Sequence, residues 1–170
     1  MPDSVPKIRI LFCCMGNICR SPTAEGVFRR VLQTRAPHVG VETDSAGTHG
    51  YHVGRPPDRR AIEAARRRGV DLTSMRARTV SASDFEHYDL ILAMDEDNLT
   101  ELQGRAPSVY RERVRLIMDY APMASSRAIP DPYYGGAQGF EEVLDLLEEA
   151  AEGLLQEVLQ RVRASEPPHR

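Results

Sequence analysis

From Cys14 the chain reads Cys14-Met15-Gly16-Asn17-Ile18-Cys19-Arg20-Ser21: a cysteine, five residues, an arginine and a serine. An apolar run, Ile8 to Cys14, leads into it, and Ser21-Pro22-Thr23-Ala24-Glu25 reads as a helix start. A short loop between a strand and a helix turns consecutive backbone N–H groups inward, making an anion-sized nest at the positive end of the helix. A cysteine in such a field is held as thiolate, below the ~8.5 of a free thiol, and attacks phosphorus without a basic partner. The planar fork of Arg20 fits two phosphoryl oxygens, which a lysine ammonium does not. The Ser21 hydroxyl can hydrogen-bond the sulfur and ease its departure when a phosphocysteine is hydrolysed. A nucleotide-binding loop would end in Gly-Lys-Ser/Thr, and this chain has no lysine beyond Lys7. The Cys-x5-Arg spacing alone arises by chance. Its place between strand and helix, with Gly16, Asn17 and Ser21 around it, makes the signal strong.

The cysteines are Cys13, Cys14 and Cys19, an odd and tightly clustered set. That is a poor disulfide framework and fits reactive thiols in a reducing compartment. Cys13, last but one in the apolar run, reads as a small core hydrophobe.

These residues need a frame. Ile8–Cys14 reads as a strand buried on both faces. Ala24, Val27, Phe28, Val31 and Leu32 then repeat with helical spacing. Val41–Ala46 is a second strand, and the glycine- and proline-rich run from Thr48 to Pro57 a surface loop. Asp58 caps a helix through about Arg68, and a helical turn starts at Ser81 or Ser83. Leu90–Met94 is a third strand, Asp95–Leu102 a helix and Val114–Met118 a fourth strand. Phe140–Val162 carries a long amphipathic helix, and a disordered tail is expected for 165–170. The alternation predicts one α/β domain over 1–164: a four-stranded parallel sheet with helices on both faces. Ligands of such sheets bind beyond the carboxyl ends of the strands, where the Cys14 loop and Met94-Asp95 both lie.

At 170 residues, 41% hydrophobic and 28% charged, the chain has the composition of one globular domain. A net charge of −3 gives no electrostatic case for nucleic acid. No apolar run is long enough to span a membrane, and MPDSVPKIRI lacks the build of a secretory signal, so a cytoplasmic location is expected. The five histidines show no metal-ligand spacing; they are read as surface residues, and no metal or cofactor is expected.

Ile10 to Glu25, ILFCCMGNICRSPTAE, resembles the active-site segment of the low-molecular-weight protein tyrosine phosphatases. The similarity continues through Asp44-Ser45-Ala46-Gly47-Thr48, Pro57-Asp58, Asp84-Phe85, Leu90 to Glu96 and Ile129 to Gly136, nearly the whole chain. The resemblance implies a phosphotyrosine phosphatase I-like fold and hydrolysis of phosphotyrosine proteins and aryl phosphates through a phosphocysteine. Inhibition by phosphate and vanadate, action as a monomer and redox regulation are expected with it. Cys14 is then the nucleophile and Arg20 the phosphate clamp, with the loop residues Met15, Gly16, Asn17, Ile18 and Cys19 cradling the phosphoryl group. Asn17 shapes the loop and Ser21 assists the thiolate. Asp131 resembles the general acid, which later activates water as a base. Asp95 either caps a helix or also pairs with Arg20. Cys19 either fills space or is a reversible disulfide partner of Cys14. Tyr51 stands where many relatives carry a tryptophan on the pocket wall, with Tyr133 and Tyr134 on the facing wall. Met75 replaces a histidine common among relatives, which implies that the Asn17–Ser21 network is wired differently, through water, with a less finely tuned nucleophile.

Three alternatives carry weight, and the arginine phosphatases, which share the fold and resemble this chain closely at the loop, stay open as the second reading. Thioredoxin-coupled arsenate reductases need two further cysteines downstream, and none follows Cys19. Protein arginine phosphatases carry a threonine where this chain has Ile18. A non-catalytic phosphotyrosine-binding module would not need Cys14, Arg20 and Asp131 together.

Overall fold

The computed structural model describes residues 8–133 and 135–166. Four parallel strands form one sheet: β1 (Ile8–Cys14), β2 (Val41–Gly47), β3 (Leu90–Ala93) and β4 (Val114–Leu116), in the order β2-β1-β3-β4. Among the described residues, five α-helices accompany them: α1 (Arg20–Arg35), α2 (Arg59–Arg67), α3 (Asp84–His87), α4 (Glu96–Arg105) and α5 (Ala137–Ser165).

The apolar run of β1 divides by its two-residue period. Ile8, Ile10, Phe12 and Cys14 pack with α1, α2 and α5, while Leu11 and Cys13 face Phe85, Tyr88 and Leu102 of the α3–α4 side. β3 alternates likewise, with Leu90 and Leu92 on the first side and Ile91 and Ala93 on the second. A strand covered on both faces has no polar side, so unbroken hydrophobicity is what this position requires. The α/β sheet with helices on both faces is thus as expected.

Several details differ from expectation. β4 stops at Leu116, and Ile117–Tyr120 winds into a 3₁₀ turn. Ile117 and Met118 are buried there all the same, and burial without periodicity does not distinguish strand from turn. A further 3₁₀ turn, Ser108–Arg113, has no buried residue and left no apolar signal. The last helix starts at Ala137 and runs to Ser165, through the start of the expected tail, whose residues 167–170 lie outside the described residues.

Helix α5 crosses the 3₁₀ turn at Gly153, where a Cβ would stand 1.8 Å from the Tyr120 carbonyl oxygen. Gly153→Ala should therefore destabilise the protein despite the better helix propensity of alanine. Overpacking of this kind costs about 1–3 kcal/mol against the ~1 kcal/mol that alanine recovers, and backbone is the least yielding obstacle. Thermal unfolding should show a Tm lowered by several degrees; an unchanged or raised Tm would contradict the close approach.

The sheet order places the site. The chain leaves β1 to one side for β2 and returns on the other for β3, so the carboxyl ends of β1 and β3 are adjacent at the reversal point. Helices α1 and α4 begin there, and their amino termini bring Arg20 and Asp95 together.

Candidate active site

The loop from Met15 to Cys19 folds back over the end of β1. Asn17 takes φ 59°, the one left-handed non-glycine residue among those described, and asparagine tolerates that region better than most. The turn brings the Asn17 backbone N–H to 3.2 Å from the Cys14 Sγ. Ser21 Oγ lies 3.0 Å from the same sulfur. Asn17 Nδ2 donates to Ser21 Oγ at 2.8 Å and to Ser45 Oγ at 3.0 Å, while its Oδ1 accepts from the Arg78 backbone N–H at 3.0 Å. With its amide fixed from both ends, Asn17 fills an acceptor site of Ser21. The Ser21 proton is thereby free to point at the sulfur.

This arrangement answers the Met75 substitution. The network closes through the Ser45 hydroxyl and the Arg78 amide, and the half-buried Met75 packs against the core. Arg78 is held by Asp44 at 2.9 Å and Asp84 at 2.9 Å, so the amide that receives Asn17 sits on a braced segment.

Arg20 is 3% exposed. One Nη donates to Asp95 Oδ2 at 2.5 Å and to the Ile129 carbonyl at 3.1 Å; the other lies 3.9 Å from Asp131 Oδ2. Burial alone would lower its affinity for the proton, but Cys14, Asp95 and Asp131 outweigh that and raise it. Asp95 serves both purposes weighed for it, since its Oδ1 accepts from the Asn98 N–H and caps α4. The loop bearing Asp131 is pinned by Ile129, fully buried, whose N–H donates to the Met94 carbonyl at 2.8 Å.

These groups open onto one cavity of about 300 Å³. Cys14 and Arg20 form its floor, with Met15, Gly16, Ile18 and Cys19 around them. Asp131 reaches it from the far loop, with its Oδ1 accepting from the Tyr133 N–H at 3.0 Å. Tyr51 and Tyr133 stand at its mouth, 72% and 37% exposed. The Tyr51 loop hangs on the nest, because Thr48 and His49 donate backbone hydrogen bonds to the Cys14 and Met15 carbonyls. Gly47 permits that approach: a Cβ there would lie 2.8 Å from the Met15 oxygen. Tyr134 lies outside the described residues.

Other placements refine the reading. Cys13 is fully buried beside the sheet, and its thiol is pushed well up by burial. Cys19 is also buried, with its thiol raised by burial and then by the nearby Asp58 carboxylate. All three cysteines are free thiols. His52, expected on the surface at the rim of the site, lines the cavity, half-buried, with its ring centroid 6.2 Å from that of Tyr133. Sequence reasoning missed Ser45, Ile129 and the Arg78 amide. Among the described residues, no group of three or more His, Cys, Asp or Glu side chains is placed to hold a metal ion, and no helix is long and apolar enough to cross a membrane.

Comparison with known proteins agrees with this geometry. The family model described as "Low molecular weight phosphotyrosine protein phosphatase" matches residues 9–164. A low molecular weight protein-tyrosine-phosphatase of Streptomyces coelicolor is 43% identical over 158 residues, 91% of this chain and 95% of that protein. The crystal structure of a protein tyrosine phosphatase from Entamoeba histolytica, with Hepes in its active site, superposes with a TM-score of 0.87 at 40% identity, covering 90% of this chain and 97% of that one. A Drosophila arginine phosphatase superposes with a TM-score of 0.82 at 32% identity, covering 88% and 97%.

Proposed function

The chain belongs to the low molecular weight phosphotyrosine protein phosphatase family, and from that membership we propose that it hydrolyses phosphotyrosine through a phosphocysteine on Cys14. The observation that carries this reading is the convergence of Cys14, Arg20 and Asp131 on one cavity. Phosphate enters with its oxygens toward the backbone N–H groups of the loop and the Arg20 fork. The Cys14 sulfur attacks phosphorus as the bond to the phenol oxygen breaks. Asp131 gives that oxygen its proton, and the phenol leaves between Tyr51 and Tyr133.

In the second step Asp131, now a carboxylate, takes a proton from water as the water oxygen attacks phosphorus. The S–P bond breaks, inorganic phosphate forms, and the departing thiolate receives the Ser21 hydroxyl hydrogen bond (3.0 Å) and the Asn17 N–H. Asp95 keeps the Arg20 fork in plane through both steps. Cys19, in the same loop, is suited to condense with a Cys14 sulfenic acid formed by peroxide, releasing water and leaving a disulfide that thiol reduces.

The purified protein should hydrolyse p-nitrophenyl phosphate and phosphotyrosine peptides in the presence of a chelator, with phosphoserine and phosphothreonine peptides poor. The cavity's depth suits a long flat phenol better than a short alkyl phosphate. Ile18 on the cavity wall, apolar where a threonine would suit a guanidinium, favours phosphotyrosine over phosphoarginine. Faster turnover of phosphoarginine would assign the protein to the arginine-directed branch instead. Equal turnover of phosphoserine, or complete loss with the chelator, would refute the reading.

A further inference from the structure

Arg60, the second residue of α2, turns its side chain away from its own helix toward the loop that follows Asp131. Its Nε donates to Asp58 Oδ1 at 3.1 Å, and one Nη to Asp58 Oδ2 at 3.0 Å. That same Nη donates to the Tyr133 carbonyl at 2.8 Å, and the other donates to the Gly135 carbonyl at 3.2 Å. The guanidinium carbon lies 4.9 Å from the centre of the Phe140 ring and 5.7 Å from that of Tyr133. Every nitrogen of the fork is used. Arg59 beside it differs: its side chain is 91% exposed and pairs with Glu63 one turn on, at 3.5 Å.

Both ends of this contact reach the chemistry. Asp58 donates its backbone N–H to the Ile18 carbonyl of the phosphate loop at 2.7 Å. Tyr133, whose carbonyl Arg60 holds, donates its own N–H to Asp131 Oδ1. A continuous path therefore runs from the nest, through Asp58 and Arg60, to the residue that orients the Asp131 carboxyl. Burial alone would raise the Asp58 carboxyl, and the hydrogen bonds from Arg60 outweigh it and hold it below its ordinary value, so Asp58 stays an anion for Arg60 to grip.

We propose that Arg60 is a positioning residue that fixes the loop carrying Asp131 at a set distance from the phosphate nest and so keeps the acid aimed at the leaving oxygen. The proposal rests on the reading of Asp131 as the general acid. A lysine has one nitrogen and cannot grip Asp58 and two carbonyls in a plane. The Arg60 side chain is 44% exposed, and an ion pair open to water on that side contributes modestly to folding, so removal of Arg60 should be felt mainly in the chemistry.

The test is a series of aryl phosphates with leaving groups from nitrophenols to phenol, run on Arg60→Ala, Arg60→Lys, Arg59→Ala, Asp131→Asn and the Asp131→Asn/Arg60→Ala pair. Loss of alignment should lower kcat/KM, which reports the first step alone, by roughly tenfold on phenyl phosphate, a fraction of a general acid's full effect, and by about twofold or less on the best nitrophenol. Arg60→Lys should fall on the same side, vanadate inhibition should be unchanged, and Arg59→Ala should behave as the parent. In the Asp131→Asn background the Arg60 change should add nothing, since no proton remains to be aimed.

A loss equal for all leaving groups, a full extra loss in that background, or the same pattern from Arg59→Ala would overturn the proposal. Thermal melts accompany each variant. If Arg60→Ala does not fold, Arg60→Lys and Arg60→Gln read the same dependence; failure of all three to fold would overturn positioning in favour of a purely structural role. Asp131→Asn alone separates the two levels of inference. If it shows no leaving-group dependence the acid assignment has failed, whatever Arg60 does.

Discussion

Cys14→Ser should abolish turnover, by roughly 10⁴-fold or more, the scale on which covalent enzymes respond to loss of their nucleophile. Phosphate and vanadate binding should survive, because the nest is built from backbone and from Arg20, neither of which the substitution touches. The serine oxygen would still meet the Asn17 N–H and Ser21, which lie 3.2 and 3.0 Å from the sulfur it replaces. A hydroxyl is far less acidic than a thiol, so the serine stays a protonated alcohol and a poor nucleophile. Arg20→Ala provides the contrast. It removes the clamp and the hydrogen bond to the Ile129 carbonyl at once, and leaves Asp95 and Asp131 facing a cavity without their cation. Both binding and turnover should be lost. Stopped assays and equilibrium titration with vanadate distinguish the two variants; more than trace turnover by Cys14→Ser would remove the cysteine from its assigned role.

The parts of this site that could be read from the sequence are those whose signal is a residue type at a fixed short spacing. Cys14, Arg20 and Ser21 fall within one loop, and both the strand before it and the helix after it announce themselves by hydrophobic pattern. Asp95 was legible as the cap of a helix at the end of an apolar strand, and the sheet order then delivers it to Arg20 without any further signal. Asp58 as the cap of α2 was equally plain.

What escaped acts through the main chain or from far along it. The Arg78 amide and the Ile129 carbonyl belong to peptide groups, which every residue has, so nothing in their side chains marks them. Ser45 reaches Asn17 from the end of β2, where a serine reads only as a polar interruption. Arg60 is one arginine among 21 in the sequence, and nothing but its fully used guanidinium separates it from Arg59. The boundary error at β4 has a related cause. Val114, Leu116, Ile117 and Met118 are apolar because they are buried, and the sheet uses only the first three residues of the segment.

Asp131→Asn should slow the first chemical step by about 10² to 10⁴ when the leaving group is a phenol that needs its proton, and much less when it departs readily as an anion. The structure explains why the substitution is a clean one. Asp131 is not a buried structural carboxylate, since its side chain is 37% exposed, and the Arg20 Nη that faces it is 3.9 Å away, on a guanidinium whose other Nη is held by Asp95 and the Ile129 carbonyl. An asparagine of the same shape can still accept from the Tyr133 N–H, so the loop should keep its course while the proton is withheld. Vanadate affinity and thermal stability should therefore stay close to those of the parent. The second step should slow as well, because the same carboxylate must take a proton from water; with an activated leaving group a burst of phenol release ahead of steady-state turnover should then be seen. A loss uniform across leaving groups, accompanied by weaker vanadate binding, would assign Asp131 to binding or folding and leave the acid to be sought elsewhere on the cavity wall, where His52 is the first group to test.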